Sequence, residues 1–304
     1  MRDLDPISIR LFLATLEEGS IARAAARESI VPSAVSKRIS EMESELRVPL
    51  LDRSVKGVHP TPAGEALAHH ARALLQGMDR MQREMAGYVD GVRGLIKVLA
   101  SVTSLSGDLP ADIMKFRAER PQIEIDVEER TTPVIYRRVR EGLADVGVAS
   151  EFASHEGLTV FPYRRYALAA VLPAGHALAG ALQLRYAQLL GDDLVELTRD
   201  SGISHVFDDA AREARTSRTV RARVGSFEMV CTLVASGLGV GVAPLYLAAG
   251  KAAQDLRFVP LADAWARPRT FIAVRDPDTL PMAARAFVDH LRASAEATDA
   301  GAPS

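Results

Sequence analysis

Residues 33–46 read SAVSKRISEMESEL. Val35, Ile39, Met42 and Leu46 recur at steps of four, three and four, the spacing of a helix that buries one face. The opposite face begins with Ser33, Ser36, Lys37 and Ser40 and turns acidic only later, at Glu41, Glu43 and Glu45. Small hydroxyls and a cation at the start of an otherwise ordinary amphipathic helix need an explanation, and the flanking residues supply one.

Upstream, Ile9, Phe12, Leu13 and Leu16 keep helical spacing, and Gly19 stops that helix. Ser20 suits the N-cap of a second, alanine-rich helix over 21–28, whose small side chains admit a close neighbour. Residues 29–31 leave room only for a turn, and Pro32 stands where a first helical residue is favoured. Helix, helix, tight turn, helix is a helix-turn-helix. Downstream, VPLLDRSVKGVHP predicts short strands at 48–51 and around Val58, joined at Lys56-Gly57 as a wing. Thr61 and Pro62 then open a long helix. Its apolar positions Leu67, Ala71, Leu74, Met78, Met81, Met85 and Tyr88 alternate steps of four and three. That heptad seam favours pairing with a second copy over cover from the same chain.

From about Arg93 the texture becomes alternating strand and helix. LIKVLA, IEIDVE and DVGVA are strands separated by helices at 109–119 and 132–143, a βαβαβ unit with a parallel sheet. From about 164 a second set follows: strands YALAAVLP, VRARV, GVGVA and RTFIAV, a helix over 227–236 and a last helix near 282–293. The tail SAEATDAGAPS is small and polar, as a frayed end would be. Two α/β lobes joined by crossing strands leave a cleft between them.

Bulk properties narrow the classes. With 304 residues, 48% of them hydrophobic, the chain can bury two or three cores. No run of about 18 apolar residues predicts a membrane span, and the start lacks an apolar signal core, so a cytoplasmic protein is expected. The single Cys231 cannot form an internal disulfide, which agrees with a reducing compartment. A net charge of −2 argues against coating by nucleic acid, so any DNA contact must come from a local patch.

The order of parts resembles a LysR-type transcriptional regulator. The carriers are FLATLEEGSIARAAARESIVPSAVSKRISEMESELRVPLLDRS, then GVHPTPAGE, GLADVGVA and VASGLGVGVAP. Leu51 and Met42 stand where the family usually has phenylalanine and leucine. The resemblance implies an α/β chain with an N-terminal winged helix-turn-helix (1–60), a dimerising linker helix (61–91) and a two-lobed, periplasmic-binding-protein-like effector domain (92–304). Lobe I would take about 92–163 and 268–296, and lobe II about 164–267. It also implies assembly as a dimer or tetramer and bending of double-stranded promoter DNA, with RNA polymerase a further candidate partner.

The serine-rich face of 33–46 then has a purpose. Ser33 and Ser36 let the helix backbone approach the major groove and can bond base edges or phosphates, while Lys37 and Arg38 reach phosphates. Arg53 and Lys56 on the wing would touch backbone or minor groove. In the cleft, ASVTSLSGDLP places hydroxyls at a strand-to-helix junction, where free amides favour an anionic effector. By resemblance Thr103 and Ser104 match the family's ligand loop, and Thr132 a polar position after the second strand. TRDSGISH adds Ser201 and Ser204, Ser226 opens another helix, and Arg199 is a candidate carboxylate partner. The plain alternative is that these hydroxyls are helix caps.

Other signals carry less. GLGVG at 237–241 follows a helix and enters a strand, the reverse of a dinucleotide fingerprint, and reads as a helix stop. Adjacent His69 and His70 point apart on a helix and make a poor metal pair. YRRY at 163–166 reads as a charged loop, and Cys231 as a buried structural thiol. No triad, metal motif or cofactor motif is present, so neither catalysis nor a cofactor is expected. A solute-binding protein or small-molecule enzyme with an accessory helical domain is the competing class.

Overall fold

The computed structural model describes residues 4–54, 57–90, 94–250 and 255–301. The chain divides into two compact units, Met1–Met85 and Ala86–Ser304.

The first unit begins with α1 (Pro6–Glu18), capped by Asp5 and closed by Gly19 in the left-handed region at φ 59°. Ser20 caps α2 (Ile21–Arg27), accepting from the Arg23 amide. Pro32 opens α3 (Pro32–Leu46). Val35, Ile39 and Met42 are buried against Ile9, Phe12, Leu13 and Ala25. Leu46, expected to complete that face, is 37% exposed, because α3 ends there with Arg47 turned left-handed at φ 55°.

The wing is shifted along the chain from its expected place. β1 (Leu51–Ser54) pairs antiparallel with β2 (Gly57–Pro60). Residues 48–50 are not strand: Leu50 is buried in the core beneath α3, and its amide is taken by the Glu43 carboxylate at 2.8 Å. Thr61 caps α4 (Pro62–Asp90) by accepting from the Gly64 amide at 3.0 Å. A Cβ at Gly64 would stand 2.1 Å from the Leu50 carbonyl oxygen, so only glycine lets α4 start this close. Leu67 and Ala71 pack into the core of this unit, whereas Leu74, Met81 and Met85 are 49–55% exposed. The side chain of Tyr88 lies outside the described residues.

The second unit holds two five-stranded sheets. One contains β3 (Gly94–Ala100), β4 (Ile123–Glu129), β5 (Val146–Ser150), β6 (Thr159–Arg165) and β12 (Arg269–Val274), in the order β4-β3-β5-β12-β6. The other contains β7 (Leu168–Pro173), β8 (Asp193–Leu197), β9 (Thr219–Val224), β10 (Val240–Pro244) and β11 (Leu256–Pro260), in the order β11-β7-β10-β8-β9. The chain crosses between sheets twice, from β6 to β7 and from β11 to β12. The βαβαβ unit is parallel as expected, with β3 between β4 and β5, but neither whole sheet is: β12 lies antiparallel to β5 and β6, and β7 antiparallel to β10 and β11. Returning strands bring the chain back across each lobe without a covering helix, which parallel pairing would require.

Helices α5 (Val102–Leu105), α6 (Leu109–Glu119), α7 (Thr132–Arg140) and α10 (Met282–Gly301) belong to the first lobe; α8 (Gly202–Glu213) and α9 (Phe227–Ala235) belong to the second. Strands β6, β8 and β11 escape the sequence reading. Tyr163, Arg164 and Arg165, read as loop, lie in β6 beside β12. β8 carries the buried Glu196, whose charge is met by Arg218 at 2.6 Å and the Tyr186 hydroxyl at 3.2 Å. The last helix runs past the expected frayed tail to Gly301, because Ser294 bonds Asp112 at 2.7 Å and Ala295 is buried. The 237–241 glycines stop α9 as expected: Gly237 has φ 81°, and a Cβ at Gly239 would lie 2.0 Å from the Asp193 carbonyl oxygen.

Candidate nucleic-acid interface and effector cavity

At roughly 100° per residue, Ser33, Ser36, Lys37 and Ser40 form one stripe along α3, opposite the buried Val35, Ile39 and Met42. Ser33, Lys37 and Ser40 are exposed and Ser36 is half-buried. Lys37 meets Glu41 only at 3.9 Å across an exposed turn, a pair too weak to hold it. The wing reaches this stripe. Arg53 Nη1 donates to the Ser36 hydroxyl at 3.3 Å and Nη2 to the Ser40 hydroxyl at 3.5 Å, with the Glu43 carboxylate 3.8 Å away. Glu43 Oε1 accepts from the amides of Leu50 and Leu51 at 2.8 and 3.1 Å, so the acid is consumed in joining helix to wing.

The structure places Arg38 off the stripe, about 100° round the helix from Lys37. Its guanidinium lies 3.4 Å from Asp5 and from the Ser8 hydroxyl. The Ser8 hydroxyl, then the Ser8 and Ile7 amides and the Arg38 charge, hold the Asp5 carboxyl below its usual range. Lys56 lies outside the described residues.

The second unit contains a cavity of about 270 Å³ between its two lobes. Its wall is built at the carboxyl ends of β3, β4, β5, β8 and β9, where residues 101–103, 129–132, 150, 197–198, 200–203, 225 and 227 emerge. Open α/β sheets bind ligands at such ends. The amino ends of α7, α8 and α9 are all part of the wall, so their partial positive charge is turned inward.

Of the expected effector residues, Thr103, Thr132 and Ser201 line this cavity. Ser104, Ser204 and Ser226 do not. Ser104 is buried and donates to the Val148 carbonyl at 3.1 Å, Ser204 is buried within α8, and Ser226 caps α9 through the Met229 amide at 3.2 Å. Arg199 is exposed and outside the wall. The cap explanation therefore holds for Ser226 and fails for Ser201. Ser201 is the N-cap residue of α8 and Thr131 that of α7, yet neither side chain caps its helix. The Thr131, Ser150 and Ser201 hydroxyl oxygens are buried and have no hydrogen-bond partner in the protein. Tyr166 also lines the cavity. Burial pushes its hydroxyl up to about 12, against a smaller lowering by the nearby Ser150 and Thr103 side chains, with which it closes no well-formed bond. It therefore remains a neutral donor at physiological pH.

Thr131, Ser150, Tyr166, Glu129, Arg130 and Asp200 were missed from the sequence. Their signal is position alone: each lies at or just beyond the carboxyl end of a strand. Cys231 is buried in α9, and burial pushes its thiol up to about 11, which makes it unreactive. Among the described residues no group of three or more His, Cys, Asp or Glu side chains could hold a metal ion, and no helix is long and apolar enough to cross a membrane.

A winged helix-turn-helix and a two-lobed α/β cleft in one chain are the halves of a transcriptional regulator that reads DNA and answers to a small molecule. Residues 8–65 match the family model described as "Bacterial regulatory helix-turn-helix protein, lysR family", and residues 90–296 that of the "LysR substrate binding domain". The chain belongs to the LysR family, and it is a DNA-binding transcriptional regulator with an effector-binding domain. It is 26% identical over 238 residues to the HTH-type transcriptional regulator CysL of Bacillus subtilis (strain 168), covering 77% of this chain and 78% of the relative. It is 27% identical over 281 residues to the HTH-type transcriptional regulator BenM of Acinetobacter baylyi (strain ATCC 33305 / BD413 / ADP1), covering 88% and 89%. Among solved structures, CbnR, a LysR family transcriptional regulator, superposes with a TM-score of 0.73 at 20% identity, over 96% of this chain and 99% of that one. Full-length CbnR complexed with its target DNA superposes with the same score and identity, over 96% and 100%.

Proposed function

We propose that this regulator reads its operator with the stripe Ser33, Ser36, Lys37 and Ser40, aided by Arg53 of the wing and by Lys56, and that Arg38 serves α3 by holding Asp5. Residues 1–60 form the reading head, 61–91 the linker helix and 92–304 the sensor. The exposed Leu74, Met81 and Met85 continue the seam that Leu67 and Ala71 begin, so α4 pairs two copies of the chain, as a dimer or within a tetramer. Pairing sets the spacing of two half-sites about one helical turn apart. A chromosomal operator places the protein in the cytoplasm, and RNA polymerase is the partner through which an occupied operator acts.

In the sensor, an effector with an anionic group sits among Thr103, Thr131, Thr132, Ser150 and Ser201. One observation carries this reading: two N-cap hydroxyls that decline to cap, buried without a partner in a cavity where three helix amino ends meet. Leaving such groups unbonded costs about 1–3 kcal/mol each, which a ligand recovers.

A gel shift on the intergenic DNA upstream of the gene tests the head. Lys37→Glu lowers affinity at least tenfold and reduces the salt slope by about 0.9 for each phosphate that is no longer neutralised. Unchanged affinity removes the α3 stripe as the reading surface. For the sensor, Thr103→Val weakens effector-dependent transcription and leaves DNA affinity intact; if both are untouched, Thr103 is only wall.

A further inference from the structure

The effector cavity carries two kinds of polar group, in different places. The Thr131, Ser150 and Ser201 hydroxyls are sealed from solvent and lie with the helix amino ends. Glu129 and Asp200 are exposed residues of the same wall, at its mouth. Among the described residues neither carboxylate has an ion-pair or hydrogen-bond partner. Arg130, the one cation among the described lining residues, is already engaged: it bonds the Glu128 carboxylate and donates to the Glu129 carbonyl at 2.8 Å.

The inner part of the cavity therefore attracts negative charge, and its mouth repels it. A ligand bearing only carboxylates or phosphates suits the first and meets two unneutralised carboxylates at the second. A ligand with one anionic and one cationic group suits both. The volume of about 270 Å³ lies at the small end of ligand sites and admits a small metabolite.

We propose that the effector is a zwitterion of the α-amino-acid kind, its carboxylate among the buried hydroxyls and its ammonium held between Glu129 and Asp200. This rests on the effector reading above and narrows it from an anion to an amphoteric ligand.

The test uses the full chain in thermal-shift and titration-calorimetry experiments. The probes are the common L-α-amino acids, each beside its deaminated carboxylate, such as L-leucine with 4-methylpentanoate and L-phenylalanine with 3-phenylpropanoate. At least one amino acid binds tenfold or more tightly than its deaminated partner, the scale of a charge-assisted contact. The double variant Glu129→Gln, Asp200→Asn abolishes that preference and leaves the melting temperature without ligand unchanged, since both residues are exposed. Thr131→Val weakens both members of a pair alike. Deaminated acids binding as tightly as amino acids overturn the zwitterion and leave the cavity's role standing. Binding by neither series also overturns it, as does a preference that survives in the double variant. An amino acid indifferent to Thr131→Val binds elsewhere, and then the effector reading of the cavity falls as well.

Discussion

The reading head and the sensor use the same short hydroxyl residues in opposite ways. In the head, the hydroxyls proposed to read DNA lie along the outside of α3, while packing is carried by Val35, Ile39 and Met42 on the other side. Capping there is left to other residues, Asp5, Ser20 and Thr61. In the sensor the hydroxyls proposed to hold the effector include two that are themselves inside, Thr131 and Ser201, at helix starts with their capping duty unperformed. Recognition and folding are thus separable in the first unit and entangled in the second. A surface stripe can be rewritten without disturbing the core beneath it. A buried hydroxyl without a protein partner costs stability, which a bound polar group offsets.

Three substitutions can break or sharpen this contrast. The largest effect comes from Ile39→Asp, on the packed side of α3. It buries an unpaired charge in the core of the head, at a cost above about 4 kcal/mol. DNA binding disappears, and limited proteolysis cuts the first unit while the second survives. Loss of both units together would mean that the head and sensor do not fold independently. The middle effect is Thr131→Val in the sensor. Replacing an unbonded buried hydroxyl by a methyl raises stability in calorimetry by about 1 kcal/mol, while the effector response of the target promoter falls. If stability drops instead, the hydroxyl is part of the lobe's packing and the contrast fails. The smallest effect is Arg47→Gly. Arg47 holds the left-handed C-cap position of α3, where a Cβ is disfavoured and glycine is the usual occupant. Relief of that strain raises the head's melting temperature by the equivalent of about 1 kcal/mol or less. No gain would show that the arginine side chain repays its backbone, for instance by its charge at the helix carboxyl end.

The head was legible because its signals are local. Pro32, Gly19, Ser20 and the four-three spacing on α3 each act within one or two turns, and the structure follows them. The wing slipped by three residues because apolar Val48 and Leu50 suit a strand, yet Leu50 is needed as core beneath α3. The sensor was less legible because its decisive facts are long-range. Pro162 obscures β6, an edge strand, and a buried glutamate disguises β8 until Arg218 arrives from 22 residues away. Which serines face the cavity is decided by side-chain partners: Ser104 is claimed by the Val148 carbonyl across the lobe, and Ser201 is claimed by nothing. No local pattern separates the two.

The Glu43 carboxylate has a consequence for how the operator is shaped. By holding the first wing amide, Leu51, and that of Leu50 just before it, Glu43 ties the recognition helix to the hairpin, with Arg53 as a second rivet. A head tied in this way cannot yield at its own joint when it meets a curved or overwound duplex. Whatever mismatch exists must be absorbed by the nucleic acid, so operators built from easily deformed steps gain an advantage at base pairs that the protein never touches.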